Sequence, residues 1–247
     1  MKCRGYLLIP LLLASVVPAS AGPLVVATNV DRVSVTSHFT GRNVLVYGAI
    51  SHPGQVIVLL RSPDTTEAMT QKSKTGPIWL IRAKVTVTGT PGIWQMLSSA
   101  PVAQILPPAT RQKLGLEPAD VAKLGHYLPQ PQDPELWQQA FLRNKFRRQD
   151  YVIHSEGVHV WHHQLFSAVI KLPADLPLGR YQLNTYLIHD QQVVADQKQT
   201  INVRQVGFQG WIAHFAKQDS WVYGVVLTLL LAGLGLGLGI VMRRRSA

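Results

Sequence analysis

Apolar and polar residues alternate with period two over much of the chain. Val33 and Val35 sit between polar neighbours. Val44, Val46, Gly48 and Ile50 interleave with Leu45, Tyr47 and Ala49, so this segment is apolar on both faces. Val56, Val58 and Leu60 follow after a His52-Pro53-Gly54 turn. Trp79, Ile81, Ala83, Val85 and Val87 line one side of a segment whose other side carries Arg82, Lys84, Thr86 and Thr88, the pattern of a half-buried strand. Gly89-Thr90-Pro91-Gly92 then turns the chain into Ile93 through Leu97.

The texture changes between 107 and 150. Glu117-Pro118-Ala119-Asp120 has the form of a helix start. Asp133-Pro134-Glu135 is a stronger one, with a capping aspartate, proline at the first helical position and an acid in the first turn. The helix that follows carries Trp137 and Phe141 and closes on Arg143, Lys145, Arg147 and Arg148, cations where the helix dipole favours them. Those cations read as a solvated helix end, with contact to lipid or a partner as the alternative. Strand alternation returns at Phe166, Ala168, Ile170 and Leu172, and again at Tyr181, Leu183, Thr185 and Leu187. A polar turn at Asp190-Gln191-Gln192 leads into Val193 through Arg204. The Gly179-Arg180-Tyr181 entry has the form of a tyrosine corner. The pattern predicts a mainly β chain, an immunoglobulin-like β-sandwich over 22–205 with a helical insertion at about 107–150.

Both ends depart from this texture. Residues 1–21 read as a secretory signal peptide: Lys2 and Arg4, an apolar run from Tyr6 to Val17, then small residues Ala19-Ser20-Ala21. An uncleaved N-terminal anchor is the alternative. Trp221 through Met242 is a run of 22 residues without charge. At about 1.5 Å per residue it reaches about 33 Å, enough for a hydrocarbon layer of about 30 Å. Trp221 and Tyr223 supply aromatic anchors at one edge. Arg243, Arg244 and Arg245 supply a positive cluster at the other, which sets the C-terminus, 243–247, in the cytoplasm. Just before the run, Phe208, Trp211, Ile212 and Phe215 fall at helical spacing, which predicts a juxtamembrane amphipathic helix over 206–220 lying in the bilayer interface. The alternative packs that helix on the sandwich.

Composition agrees with a membrane address. Hydrophobic residues make up 47% and charged residues 15% of the 247-residue chain, against roughly 25% charged in an ordinary soluble domain. Without Lys2, Arg4 and the three terminal arginines, the exported part keeps 19 basic residues against 13 acidic, a net of +6. That balance suits anionic lipid head groups or an acidic partner. Nucleic acid is not expected, because no recognition motif is present. The single cysteine, Cys3, lies in the leader, so disulfide chemistry is absent from the mature chain.

Candidate chemistry is sparse. His154, His159, His162 and His163 cluster around Glu156, and imidazole suits copper, zinc or nickel. Extended as a strand, His159 and His163 share a face with Trp161, and His162 points away. A surface cluster without metal is the other reading. Gly233, Gly235, Gly237 and Gly239 form two overlapping small-xxx-small pairs, which would let the span pack against another helix, its own copy or a partner's. A plain Leu-Gly anchor is the alternative. No nucleophile elbow, metalloprotease helix or phosphate loop is present. The chain is expected not to be an enzyme and to need no cofactor; a hydrolase whose Ser, His and Asp converge only in the fold is the alternative.

Several stretches resemble the alphaproteobacterial putative transmembrane protein family, a group of uncharacterised exported proteins. They are Val33-Ser34-Val35-Thr36-Ser37-His38-Phe39-Thr40-Gly41, Tyr47-Gly48-Ala49-Ile50, Leu165-Phe166, Leu172-Pro173-Ala174 and Pro177-Leu178-Gly179-Arg180-Tyr181. Gly207-Phe208, Phe215-Ala216, Tyr223-Gly224 and the closing arginines extend the likeness over nearly all the mature chain. The resemblance implies a signal peptide, an exported domain and one C-terminal span, brings no catalytic residues, and points to a permease as a transport partner. The expectation is a single-pass inner-membrane protein with a periplasmic domain, acting as a non-catalytic accessory or assembly module. The competing expectation is a periplasmic transition-metal-binding protein built on His154–His163.

Overall fold

The computed structural model describes residues 22–207 and 220–245. Two sheets stack face to face. The smaller has four strands in the order β1–β3–β11–β10, formed by Leu24–Thr28, Arg42–Ile50, Leu165–Leu172 and Val158–Trp161, with antiparallel neighbours. The larger has six strands in the order β2–β13–β12–β4–β7–β9: Arg32–Val35, Gln192–Gln205, Gly179–His189, Gln55–Arg61, Trp94–Ser98 and Tyr151–Ser155. Its two outermost pairs, β2–β13 and β7–β9, run parallel. The remaining strands, β5 (Asp64–Thr75), β6 (Ile78–Pro91) and β8 (His126–Leu128), form a three-stranded sheet. Between β7 and β9 lie four helices, α1 (Val102–Ile105), α2 (Pro108–Lys113), α3 (Pro118–Leu124) and α4 (Pro134–Arg147). Helix α5, Ser220–Arg245, closes the described chain.

Two apolar cores share the six-stranded sheet. Val44, Val46, Phe166, Ala168 and Ile170 of the small sheet meet Val56, Val58, Leu60, Leu183 and Ile201 of the large one. On the opposite face, Ile57, Leu59, Trp94, Met96 and Tyr186 pack against Val85, Val87, Val121, Trp137 and Phe141. Strand β4 is therefore buried on both faces from Val56 to Leu60, which explains its unbroken apolar run. Gly48 is the point of closest approach in the small sheet. A Cβ there would lie 2.1 Å from the Val25 carbonyl oxygen and 2.6 Å from the Phe166 ring, so only glycine lets that ring close over the strand.

Strand β3 is apolar on both faces, as its pattern reads, and buries one of them: Leu45 and Tyr47 point outward from the small sheet and are exposed. Several other expectations are corrected. Trp79 and Ile81 are not buried, because the β5–β6 hairpin runs beyond the layer that covers Val85 and Val87. Asp133 occupies the N-cap position of α4 but makes no side-chain cap hydrogen bond. The basic end of α4 is not uniformly solvated, because Lys145 turns inward and is 1% exposed. The tyrosine-corner expectation has its hydrogen bond: the buried Tyr181 hydroxyl donates to the Pro177 carbonyl at 2.9 Å.

Candidate membrane-contact surfaces

Helix α5 is 26 residues long, and its charge-free run sits inside it. Every described large aliphatic side chain from Val225 to Leu236 is exposed, on all sides of the helix. A Cβ added to Gly233 or Gly235 would meet nothing within 4 Å. A helix that exposes apolar side chains all round is suited to hydrocarbon rather than water. Among the described residues no helix is long and apolar enough to cross a membrane. Trp221 is exposed and Tyr223 partly so. The surroundings of Gly237 and Gly239 and the side chains of Arg243, Arg244 and Arg245 are not described, and Phe208, Trp211, Ile212 and Phe215 lie outside the described residues.

The outer face of the four-stranded sheet carries a second apolar surface. In-register pairing sets Trp161 beside Leu165, Leu165 beside Ala49, and Ala49 beside Val25. Two steps along the same face, past Ser167 opposite Tyr47, Val169 lies opposite Leu45. With Tyr47 these residues are exposed and share one side of the sheet. Asn43, His159, Ser167 and Lys171 share this side, so the apolar residues form a patch within a mixed face.

The third surface is the hairpin tip. Gly76 at φ +65° and Pro77 make a two-residue turn of the II′ kind, which suits the strand twist. Beyond it Ile78, Trp79, Leu80 and Ile81 are all exposed, Trp79 at 66% and Ile81 at 64%. Lys74 faces Trp79 across the ladder and Lys72 faces Ile81. Reading the segment as one half-buried strand missed this surface. The signal was present: four consecutive large apolar residues cannot all face one side of a strand.

The histidines are not brought together. His154 lies on β9 in the large sheet and His159 on β10 in the small one. His162 and His163 form the tight turn between β10 and β11, with φ of 50° and 55°, and Gln164 N donates to Trp161 O at 3.0 Å. The strand alternation that would place His163 beside His159 therefore stops at Trp161, and the His159 ring sits 6.2 Å from that of Trp161 instead. Among the described residues no group of three or more His, Cys, Asp or Glu is placed to hold a metal ion.

One buried charged centre escaped the sequence reading. Lys145 reaches from α4 to the Glu67 carboxylate on β5, donates to the Gly92 carbonyl at 3.0 Å, and lies 3.6 Å from Asp150. Its ammonium stands 5.5 Å from the Tyr151 ring centre and 5.6 Å from that of Phe141. Arg148 approaches Asp150 at 3.3 Å from the solvent side. Burial raises the Asp150 carboxyl above its ordinary range, against the pull of Lys145 and Arg148. The centre ties hairpin, helix and β7 entry together, and an adjoining cavity of about 250 Å³ is lined by Thr65, Asp175 and Pro177. The chemistry is that of an ion-pair clamp. A lone cation in a basic helix end gave no hint of it, because Glu67 lies 78 positions away.

A family model described as "Putative transmembrane protein" matches residues 23–244. The chain belongs to that alphaproteobacterial family. Membership places this member of the putative transmembrane proteins at a membrane, and its mainly β body is the part outside α5. No curated protein and no solved structure matches the chain.

Proposed function

We propose that this protein is a single-pass inner-membrane protein whose β-domain, an immunoglobulin-like sandwich, lies in the periplasm. In this reading residues 1–21 are removed on export, α5 crosses the bilayer, and Arg243–Arg245 hold the C-terminus in the cytoplasm. Its role is non-catalytic: an accessory or assembly module for a membrane partner such as a permease. The carrying observation is α5, a charge-free run of 22 residues whose large aliphatic side chains from Val225 to Leu236 are all exposed. The partner role draws support from the apolar patch on the outer face of the small sheet, which includes Val25, Tyr47, Trp161, Leu165 and Val169. The open Gly233 and Gly235 positions leave room for a second helix in the bilayer.

The test has two arms. Carbonate-washed vesicles should retain the chain, and Leu230→Asp, at the middle of α5, should release much of it, since a central aspartate costs about 3 kcal/mol of insertion. A reporter fused after Ala247 should be active in the cytoplasm. Release of the wild-type chain, or a reporter active outside the cytosol, overturns the reading. For the partner role, a membrane protein recovered with the chain in mild detergent should be lost on Tyr47→Lys with Val169→Lys.

A further inference from the structure

We infer that the tip of the β5–β6 hairpin is a second bilayer contact, seated among anionic lipid head groups. The inference rests on the membrane anchoring proposed above. From Ala68 to Lys84 the hairpin carries Lys72, Lys74, Arg82 and Lys84 and no acid, and all four cations are exposed. Both faces of its end are apolar. Trp79 and Ile81 share a side with Lys74 and Lys72, and Ile78 and Leu80 pair with Thr75 and Ser73 on the other. The domain covers none of these four apolar side chains.

This combination selects the occupant. A protein pocket would ask for one apolar face, whereas here both are bare. An interface of head groups and acyl chains receives both at once. Tryptophan favours that layer, and lysine and arginine stems lie along it with their charges among phosphates. Each cation near an anionic surface strengthens the attachment several-fold, and salt screens it. The hairpin is long enough to reach. Seven residues separate the buried Val85 from Ile78, about 23 Å of strand. The tether between β13 and α5 covers 206–219, which spans at most about 50 Å, so body and anchor are held to one membrane. Docking of the tip would fix the orientation in which the domain meets its partner.

The experiment uses the chain without its leader, and so without Cys3, in nanodiscs with an environment-sensitive fluorophore at Leu80→Cys and nitroxide quenchers in the lipid. Incorporation itself reports on α5: failure to enter the discs counts against the anchor, and entry without hairpin contact counts against this inference alone. In discs of phosphatidylcholine with phosphatidylglycerol the probe should be quenched, with emission shifted to the blue. A probe at Val194→Cys, exposed on β13, should not be quenched. Phosphatidylcholine discs or high salt should lower the docked-to-free ratio at least about tenfold. The quadruple variant Lys72→Glu, Lys74→Glu, Arg82→Glu and Lys84→Glu should do the same, and its exposed positions leave both cores intact. Quenching equal in neutral and anionic discs, or absent from both, overturns the inference. So does probe-to-probe contact between two copies in place of lipid contact.

Discussion

Removing the charge of Lys145 tests the clamp most directly. Lys145→Met keeps a chain of similar length against Phe141 and Tyr151 but strips the partner from Glu67, Asp150 and the Gly92 carbonyl. At 3.6 Å and an effective dielectric of about 20, the Lys145–Asp150 attraction alone is about 5 kcal/mol before desolvation is subtracted. Breaking one side of such a buried pair leaves uncompensated charge, and the expected loss is about 3–5 kcal/mol. For a domain of this size that lowers Tm by about 6–20 °C, readable by near-UV circular dichroism of the detergent-solubilised chain. Glu67→Gln added to the variant should recover part of the loss, because the two sites share one interaction. The pH dependence has a definite sign. The folded-state pKa of Asp150 is raised, so its own contribution is full below the unfolded carboxyl value and is lost as pH rises through the folded one. Without Lys145 the carboxyl rises further, so the variant regains ground in acid. The wild-type-to-variant gap should narrow as pH falls from about 7 to about 4. A loss below about 1 kcal/mol, or a gap constant over that range, would refute the reasoning.

Two further outcomes follow from local geometry. Tyr181→Phe should destabilise the sandwich by about 1–2 kcal/mol in denaturant titration, because the Pro177 carbonyl loses its 2.9 Å donor; burial pushes the Tyr181 phenol well above the usual tyrosine range, so the difference should persist through neutral and mildly alkaline pH. Replacing the turn pair, His162→Asn with His163→Gly, should raise stability by about 1–2 kcal/mol in the same titration, since both histidines sit at positive φ that asparagine and glycine adopt with less strain. No gain would mean that the turn relaxes at no cost.

Local pattern was enough for the elements whose environment is set by their own neighbours. The alternation in β3, β11 and β12, the proline-led starts of α3 and α4, and the helix at 220–245 all follow from spacing and chemistry over a few residues. Strand β5 was not legible that way: Asp64–Thr75 is nearly all polar, and its strand form comes from pairing with β6 across the Gly76-Pro77 turn. The fate of the candidate sites divides along the same line. The apolar character of α5 is written in its composition and survives any packing. The histidine cluster dissolved, because neighbours in the chain were sent to two sheets and a turn.

The chain order by itself determined the alternating strands, the proline-led starts of α3 and α4, and that the C-terminal rod is greasy, since these depend on backbone preference and transfer from water within a short window. Only the tertiary structure decided which apolar faces are covered, that Lys145 meets Glu67 from 78 positions away, and that the tip at Ile78–Ile81 is left bare. Burial is a property of what packs opposite, and that partner is chosen by the whole fold.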